Sequence, residues 1–185
     1  MPLIYRSFDW AHGVYVGATM ASETTAAATG AVGVLRRDPM AMLPFLGYNM
    51  ADYWRHWLDM GTRASNPPAI FQVNWFRRDA DNKFIWPGFG QNMRVLRWVY
   101  EQVRGQNGNQ RETPIGIVPT AEAIGARELG LSPQQAEALL SIDRDAWVKE
   151  VEEQGAYLDQ YGDRLPAELR AQQRRLMERV QKVAV

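Results

Sequence analysis

A segment rich in aromatic residues, residues 73–92, offers the clearest candidate chemistry in this sequence. Five aromatic side chains fall within fifteen residues: Trp75, Phe76, Phe84, Trp86 and Phe89. Rings held in an open, glycine-bounded loop can expose their faces, and a planar base stacks on such a face for about 1–3 kcal/mol. The amide of Asn92 could then hydrogen-bond the edge of that base. The segment is therefore a candidate base-binding site.

The same aromatic residues are also compatible with an ordinary core. Large aromatic side chains dominate protein interiors, so their pattern alone favours burial over exposed stacking faces. Composition and spacing do not decide between the two interpretations, and both stay open at this point.

The sequence lacks most of the residues that a phosphate-binding loop, a metal site or a hydrolase active site would need. The phosphate-binding sequence Gly-x-x-x-x-Gly-Lys-Ser/Thr is absent, and the pairs Arg36-Arg37 and Arg77-Arg78 are more typical of surface charge than of phosphate contacts. There are no cysteines and only two histidines, which argues against a metal held by this chain alone. His12 follows Asp9 by only three residues and no nucleophile elbow is present, so a hydrolase is not expected.

The composition predicts one globular core and no charged partner. Of the 185 residues, 46% are hydrophobic, and 21 Lys and Arg balance 21 Asp and Glu. No net field therefore favours nucleic acid or an anionic membrane. Because no run of eighteen apolar residues occurs, we expect a cytoplasmic protein without a membrane partner.

The elements that position the aromatic segment begin with short β-branched runs. These runs predict strands at residues 3–5 and 13–17, and a further strand at 70–76. Residues 18–33 are mostly small and uncharged, which predicts a mobile segment; a helix capped by Ser22 is an equally supported alternative. After a polar loop at 105–112, residues 114–119 predict a strand whose prolines suit a sheet edge.

Helical spacing dominates elsewhere. It predicts a helix from Asn49 to Gly61 and another from Asn92 to Gly105. The second helix has one apolar side, formed by Met93, Leu96, Val99, Tyr100 and Val103. Later helices are expected from Ser132, at 143–161 and at 166–183, where the charges look like a solvated face: Glu150, Glu152, Glu153, Arg170, Arg174 and Arg175. We expect residues 1–119 to form a mixed α/β part and 120–185 a helical layer of the same domain.

A family resemblance adds to this pattern. The motifs that carry it are His12-Gly13-Val14, Ser22-Glu23-x-Thr25-Ala26-Ala27-Ala28, Asp38-Pro39-Met40-Ala41-Met42, Val73-Asn74-Trp75-Phe76 and Trp86-Pro87-Gly88-Phe89-Gly90-x-Asn92. In this order they resemble the carboxy-terminal third of the GTP-dependent phosphoenolpyruvate carboxykinases. The resemblance covers residues 2–119 specifically, and the helical tail is similar in layout.

The resemblance implies a fold, a reaction and a set of binding residues. It implies an incomplete carboxykinase C-terminal domain of the mixed α/β class, with a short sheet, flanking helices and a helical tail. The family converts oxaloacetate and GTP to phosphoenolpyruvate, CO₂ and GDP in gluconeogenesis, assisted by Mn²⁺ and Mg²⁺. By resemblance, the residues that bind guanine are Trp75, Phe76, Phe84, Phe89 and Asn92, with Asn92 reading the base.

An active-site lid is also implied by the resemblance, at residues 22–33. Its residues would include Ser22, Glu23, Thr24, Thr25, Ala26, Ala27, Ala28, Thr29 and Gly30. A closed lid would shield the enolate from protonation by water. Thr29 departs from the family, which often has an acidic residue there, so the contacts that hold a closed lid are not assumed at this position.

The family's remaining machinery lies upstream of the matching residues. This machinery comprises the phosphate-binding loop, the metal ligands, a reactive cysteine and the arginine that grips phosphoenolpyruvate. We therefore expect no catalytic or metal-binding residue in this chain, a need for the missing N-terminal part as partner, and self-association through exposed apolar surface. One alternative is a non-catalytic, aromatic-rich domain that binds nucleotide or protein; another is a helical partner-binding module at 132–183.

Overall fold

The computed structural model describes residues 1–23 and 35–182, and it has a mixed α/β fold, as expected. Its six described α-helices are α1 (Trp10–Thr19), α2 (Met50–Arg63), α3 (Asn92–Val103), α4 (Pro133–Leu140), α5 (Arg144–Asp159) and α6 (Ala167–Gln181). Its six described strands are β1 (Ile4–Arg6), β2 (Ala21–Glu23), β3 (Leu35–Arg37), β4 (Phe71–Val73), β5 (Gln110–Thr113) and β6 (Gly116–Pro119).

A four-stranded antiparallel sheet lies at the centre, in the order β4-β1-β6-β5. The register places Ile4 opposite Val73 and Arg6 opposite Ile117. At the β5–β6 turn, Gly116 has φ 146°, and a Cβ atom there would lie 2.5 Å from the backbone oxygen of Arg6. Only glycine allows this close approach of the turn to β1.

The strand predicted at residues 13–17 is wrong, because these residues belong to helix α1. Asp9 caps the helix by accepting a hydrogen bond from the amide of His12 at 2.7 Å. Val14, Tyr15 and Val16 are all buried, so the helix lacks the polar face that would have identified it. A short apolar run in a core fits a buried strand and a buried helix equally well.

Residues 18–23, the first part of the segment predicted to be mobile, belong to helix α1, strand β2 and the link between them. Ala18 and Thr19 end α1, and strand β2 pairs with β3, with Ser22 opposite Arg36. The alternative of a helix capped by Ser22 is therefore also wrong. The rest of the predicted lid, Thr24 to Gly33, lies outside the described residues.

Helix α2 begins as predicted, since Asn49 Oδ1 accepts from the amide of Ala51 at 2.9 Å. It does not end at Gly61 but continues to Arg63. A Cβ at Gly61 would lie 2.1 Å from Cδ1 of Trp10, so this glycine allows the Trp10 indole to lie against α2. The indole is fixed there by donating a hydrogen bond to the oxygen of Trp57 at 2.7 Å.

Two boundary predictions around the sheet are also wrong. Strand β4 covers only residues 71–73 of the predicted 70–76, because the chain turns at Asn74 to start the aromatic segment. The strand at 116–119 lies inside the sheet, not at its edge, and part of the expected polar loop forms the edge strand β5. Both prolines avoid the ladder interior: Pro114 lies in the turn between β5 and β6, and Pro119 ends β6.

The three tail helices are confirmed. Ser132 and Gln135 form a reciprocal capping box at the start of α4, and Asp143 caps α5. The tail charges are not all a solvated face, however. Glu150 accepts from Arg37 at 2.6 Å, and the Arg37 side chain is only 18% exposed and also binds the oxygen of Thr19 at 2.9 Å.

Two clusters of buried side chains form the core. The first joins α1, α2, α5 and α6, and includes Trp54 and Leu169. The second joins β1, α3 and α4 to the aromatic segment, and includes Trp86 and Trp98. No helix among residues 1–23 and 35–182 has the length and hydropathy needed to cross a bilayer.

Candidate functional site

A cleft of about 540 Å³ opens between the aromatic segment and the start of α3. Its walls are formed by Trp75, Phe76, Phe84, Trp86, Pro87, Gly88, Phe89 and Asn92. We call it the aromatic cleft. Its volume lies within the range of small-molecule sites, and ring faces and a single amide line it, a composition that suits a flat, mostly apolar ligand with a polar edge.

A tight hairpin presents Phe84 to this cleft. Arg78 and Phe84 form an antiparallel bridge, and the amide of Ile85 donates to the oxygen of Arg77 at 2.9 Å. The turn is held by Asp79, whose Oδ1 accepts from the amides of Asp81 and Lys83 at 3.0 and 2.9 Å. Because Ile85 is buried and side chains alternate along the hairpin, Phe84 points away from the core.

Three phenylalanines of the cleft are not core residues. Phe76 is 70% exposed, Phe84 51% and Phe89 92%. Phe76 and Phe84 meet edge to face, with ring centroids 6.0 Å apart. The core interpretation holds only for Trp86, which is 2% exposed, while Trp75 is half-buried with its ring 6.2 Å from that of Trp86. Ring faces are therefore available for stacking.

Gly88 and Asn92 shape the far side of the cleft. Gly88 has φ 102°, a conformation that side-chain-bearing residues rarely adopt, and it leads into the single 3₁₀ turn that carries Phe89. Asn92 then begins α3. The exposure of Phe89 follows from this glycine turn, which is the exposed-ring interpretation that the sequence left open beside the core interpretation.

The amide of Asn92 is oriented by Trp86. The indole Nε1 of Trp86 donates to Asn92 Oδ1 at 2.9 Å. Since an indole N–H can only donate, its partner must be the amide oxygen. The Nδ2 group of Asn92 is thereby left to donate to a ligand in the cleft.

Arg78 was missed by reasoning from the sequence, which assigned it to surface charge. Its guanidinium lies 4.1 Å from the Phe84 ring centroid and donates to the oxygen of Asn82 at 2.8 Å. It therefore covers one face of Phe84. A sequence signal for this contact was present: Arg78 and Phe84 are six residues apart and flank the turn-forming sequence Asp-Ala-Asp-Asn, which predicts a hairpin that pairs them.

Arg77 has a structural role instead of a phosphate-binding one. It donates to the oxygen of Ser141 at 2.8 Å, to the Oγ of Ser141 at 3.0 Å and to the oxygen of Met1 at 3.1 Å. Burial lowers the pKa of its guanidinium from the ordinary value. Arg77 thus ties the base of the hairpin to the end of α4.

The other predicted features do not meet at the cleft. Among residues 1–23 and 35–182 there is no group of three or more His, Cys, Asp and Glu that could hold a metal ion. His12 is buried against Phe8 and accepts the amide of Phe8 at 3.1 Å, which makes it a packing residue. Of the lid residues, Ser22 and Glu23 belong to β2 and Thr24 to Gly30 fall outside the described part of the chain.

Comparison with known proteins gives the family. Residues 1–179 match the model of the phosphoenolpyruvate carboxykinase C-terminal P-loop domain. The chain belongs to this family. It is 49% identical over 180 residues to phosphoenolpyruvate carboxykinase [GTP] of Anaeromyxobacter dehalogenans strain 2CP-C. The matched region covers 97% of this chain and 30% of that relative. It is 48% identical over 169 residues to the enzyme of the same name from Thermoplasma volcanium, covering 91% of this chain and 28% of the relative.

The match to the carboxykinase family is partial in length. The relative from Renibacterium salmoninarum, 47% identical over 182 residues, is likewise covered over 30% of its length. This chain therefore spans about 30% of the curated relatives that it matches. The family is one of enzymes that act with GTP, and this chain corresponds to a part of such an enzyme.

Proposed function

We propose that the aromatic cleft binds the guanine of GTP, and that this chain is the guanine-recognising part of an enzyme that converts oxaloacetate and GTP to phosphoenolpyruvate, CO₂ and GDP. The observation that carries the proposal is the cleft itself, where Phe76, Phe84 and Phe89 stand exposed beside Asn92. Membership of a GTP-dependent family supports it. The non-catalytic alternative has no observation in its favour.

Stacking supplies the affinity in this proposal. The exposed rings of Phe76 and Phe89 offer faces to a base, and each base–aromatic stack contributes about 1–3 kcal/mol. Arg78 covers one face of Phe84 and favours binding through the other. A cleft of this kind holds the base but supplies no group that reacts with it.

The amide of Asn92 supplies the discrimination. With its oxygen held by Trp86, its Nδ2 donates towards the base edge. Guanine presents the acceptor O6 at the position where adenine presents an amino donor. A donor held there therefore favours guanine, since adenine would leave two donors facing each other.

The chemistry itself is assigned to the part of the enzyme outside this chain. The described residues do not fit a metal centre, so Mn²⁺ and Mg²⁺ would be held elsewhere. The lid at residues 22–33 and the division at residue 119 both stay predictions that rest on the sequence. On this proposal the isolated chain binds guanine nucleotides weakly and has no carboxykinase activity.

Nucleotide titration followed by tryptophan fluorescence tests the proposal, because Trp75 and Trp86 line the cleft. GTP and guanosine should quench more than ATP and adenosine. Phe89→Ala should weaken guanosine binding about tenfold, since one stack is lost. Phe45→Ala is the matched control, because Phe45 is 77% exposed but is not part of the cleft. Equal responses to guanosine and adenosine, or equal losses in both variants, would contradict guanine recognition.

A further inference from the structure

Helix α3 carries apolar side chains on its outer face. Met93 is 70% exposed, Leu96 50%, Tyr100 61% and Val103 63%. Their spacing of three, four and three residues places them in one line along the helix. We call this line the α3 stripe. At a rise of about 1.5 Å per residue it runs for roughly 15 Å.

The stripe is not the face by which α3 packs on the rest of the chain. The packing face is formed by Val95 and Trp98, both fully buried, with Trp98 edge to face against Phe71 at 5.8 Å. Helix α3 is therefore apolar on two sides. A helix apolar on several sides is typical of one that is covered on both faces, whereas a surface helix has a polar outer face.

The charged residues on and next to α3 lie mostly beside the stripe, and all four of its apolar residues remain at least half exposed. Arg97 and Glu101 pair with each other at 2.8 Å, and the Arg97 side chain is 79% exposed. Arg104 lies over the Tyr100 ring at 5.9 Å, near the end of the helix. A polar margin around an apolar centre is the usual arrangement of a protein–protein contact.

The position of the stripe indicates its occupant. Its first residue, Met93, directly follows Asn92, which lines the aromatic cleft. The matching family is described as a P-loop domain, yet no P-loop sequence occurs in these 185 residues, which span about 30% of the relatives. The phosphates of a nucleotide are joined to its base through the ribose, so a segment that binds them lies within the length of one nucleotide of the cleft, and α3 begins at the wall of that cleft.

We propose that the α3 stripe is the docking surface for the phosphate-binding portion of the enzyme, the portion of the relatives that this chain does not match. The proposal rests on the proposed guanine site. Docking there covers Met93, Leu96 and Tyr100 and closes the open side of the cleft. A second copy of this chain is the competing occupant.

Oxidative footprinting tests the proposal, because methionine and tyrosine side chains report solvent access at Met93 and Tyr100. The samples are the isolated chain and a single-chain hybrid in which this chain replaces the matching segment of the Anaeromyxobacter dehalogenans relative. We expect both residues to be labelled several-fold less in the hybrid. Equal labelling in the two samples overturns the proposal, and so does a hybrid that fails to assemble.

Two further measurements distinguish docking of the phosphate-binding portion from self-association, and distinguish a failure of docking from a failure of the proposed function. Protection already present in the isolated chain, lost on dilution, assigns the stripe to a second copy and overturns the proposal. Carboxykinase activity of the hybrid reports on the proposed function: activity without protection contradicts docking alone, whereas protection without activity contradicts the function alone.

A variant pair makes the test specific to the stripe. Leu96→Ser with Tyr100→Ser should loosen the hybrid, seen as several-fold faster cleavage by protease between its two portions. Arg174→Ser with Arg175→Ser is the control, because these exposed side chains lie on the polar outer face of α6. Equal cleavage in wild type and the stripe variant contradicts docking through this face.

Discussion

Helices α6 and α3 differ in what they show to solvent. The outer face of α6 exposes Arg174, Arg175 and Glu178, and its Leu169, Leu176 and Val180 are buried in the first core cluster. The outer face of α3 exposes the four apolar residues of the stripe, next to a cleft of exposed aromatic rings. The outer face of α6 therefore has the polar composition of an ordinary protein surface, whereas the outer face of α3 has the apolar composition of an interface.

Two buried glutamines, one in each region, differ in how their amides are satisfied. In the helical layer, Gln154 accepts from the hydroxyl of Tyr15 at 2.5 Å and donates to Glu150 at 2.7 Å. In α3, the buried Gln102 has no hydrogen-bond partner for either amide atom among the described residues. The Gln154 amide should thus contribute to the stability of the fold, and the Gln102 amide should contribute little.

The largest expected difference between the two regions is in the free energy of unfolding lost when one leucine of each helix is replaced by alanine. Leu169 in α6 is fully buried, and Leu169→Ala should lower the free energy of unfolding by about 2–5 kcal/mol. Leu96 in α3 is half-exposed, and Leu96→Ala should cost less than about 1 kcal/mol. Urea unfolding of the isolated chain measures both. Similar losses in the two variants would mean that the stripe is buried in solution.

The pH dependence of stability should come in part from His12, a buried residue of α1. Burial, with a smaller effect of the Arg179 charge, lowers the pKa of His12 to about 4, below the ordinary value of about 6.5. The unfolded chain therefore binds more protons between these pH values, and stability falls as the pH falls through this window. The loss attributable to His12 should approach about 3 kcal/mol.

Variants of the two histidines assign this pH effect. His12→Gln should flatten the decline in stability between pH 7 and 5, although it also loses the hydrogen bond from the Phe8 amide. His56→Gln, at an exposed site on α2, is the control for the loss of a histidine as such. Thermal unfolding at several pH values measures the slope. A slope that follows His56 and not His12 would contradict the assignment.

A pair of buried glutamines tests the contrast in polar satisfaction. Gln154→Met removes the partners of Tyr15 and Glu150 and should cost about 1–3 kcal/mol. Gln102→Met removes an amide that has no partner in the described chain, so it should be neutral or stabilising within about 1 kcal/mol. Denaturant unfolding compares the two. An equal cost would show that Gln102 makes polar contacts in solution.

Local sequence signals predicted most of the helices for physical reasons that can be named, whereas the proposed binding residues were named by the family resemblance. Caps at Asn49, Ser132 and Asp143 are local, so they could be read directly. The strand predicted at residues 13–17 failed because α1 is buried on nearly all sides, which removes the polar periodicity that identifies a helix.

Contacts between residues far apart in the sequence could not be predicted from local pattern. The pairing of Arg37 with Glu150 joins positions 113 residues apart, so nothing local could distinguish these two from ordinary surface charges. The same holds for Gly61, which lies inside α2 and leaves room for the Trp10 side chain of another helix. Within the aromatic segment, by contrast, every residue that lines the cleft lies within eighteen positions. The local pattern therefore singled out this segment, but it left open whether the rings are exposed or buried.

The smallest expected effect concerns base discrimination by the Trp86–Asn92 pair. Trp86→Phe keeps an aromatic ring in the wall of the cleft but removes the N–H that fixes the Asn92 oxygen. The amide can then turn its oxygen to the base and accept from adenine. The preference for guanosine over adenosine should fall by about 1 kcal/mol, the value of one hydrogen bond, while guanosine affinity changes less.

Trp98→Phe is the matched control for this change. Trp98 is fully buried in the same core cluster, and its Nε1 has no partner among the described residues, so the substitution costs packing without losing a hydrogen bond. Competition between guanosine and adenosine, measured for both variants and for Asn92→Ala, separates the causes. If selectivity falls equally in Trp86→Phe and Trp98→Phe, general loosening of the core explains the loss. If it falls in Trp86→Phe and Asn92→Ala alone, the oriented amide reads the base.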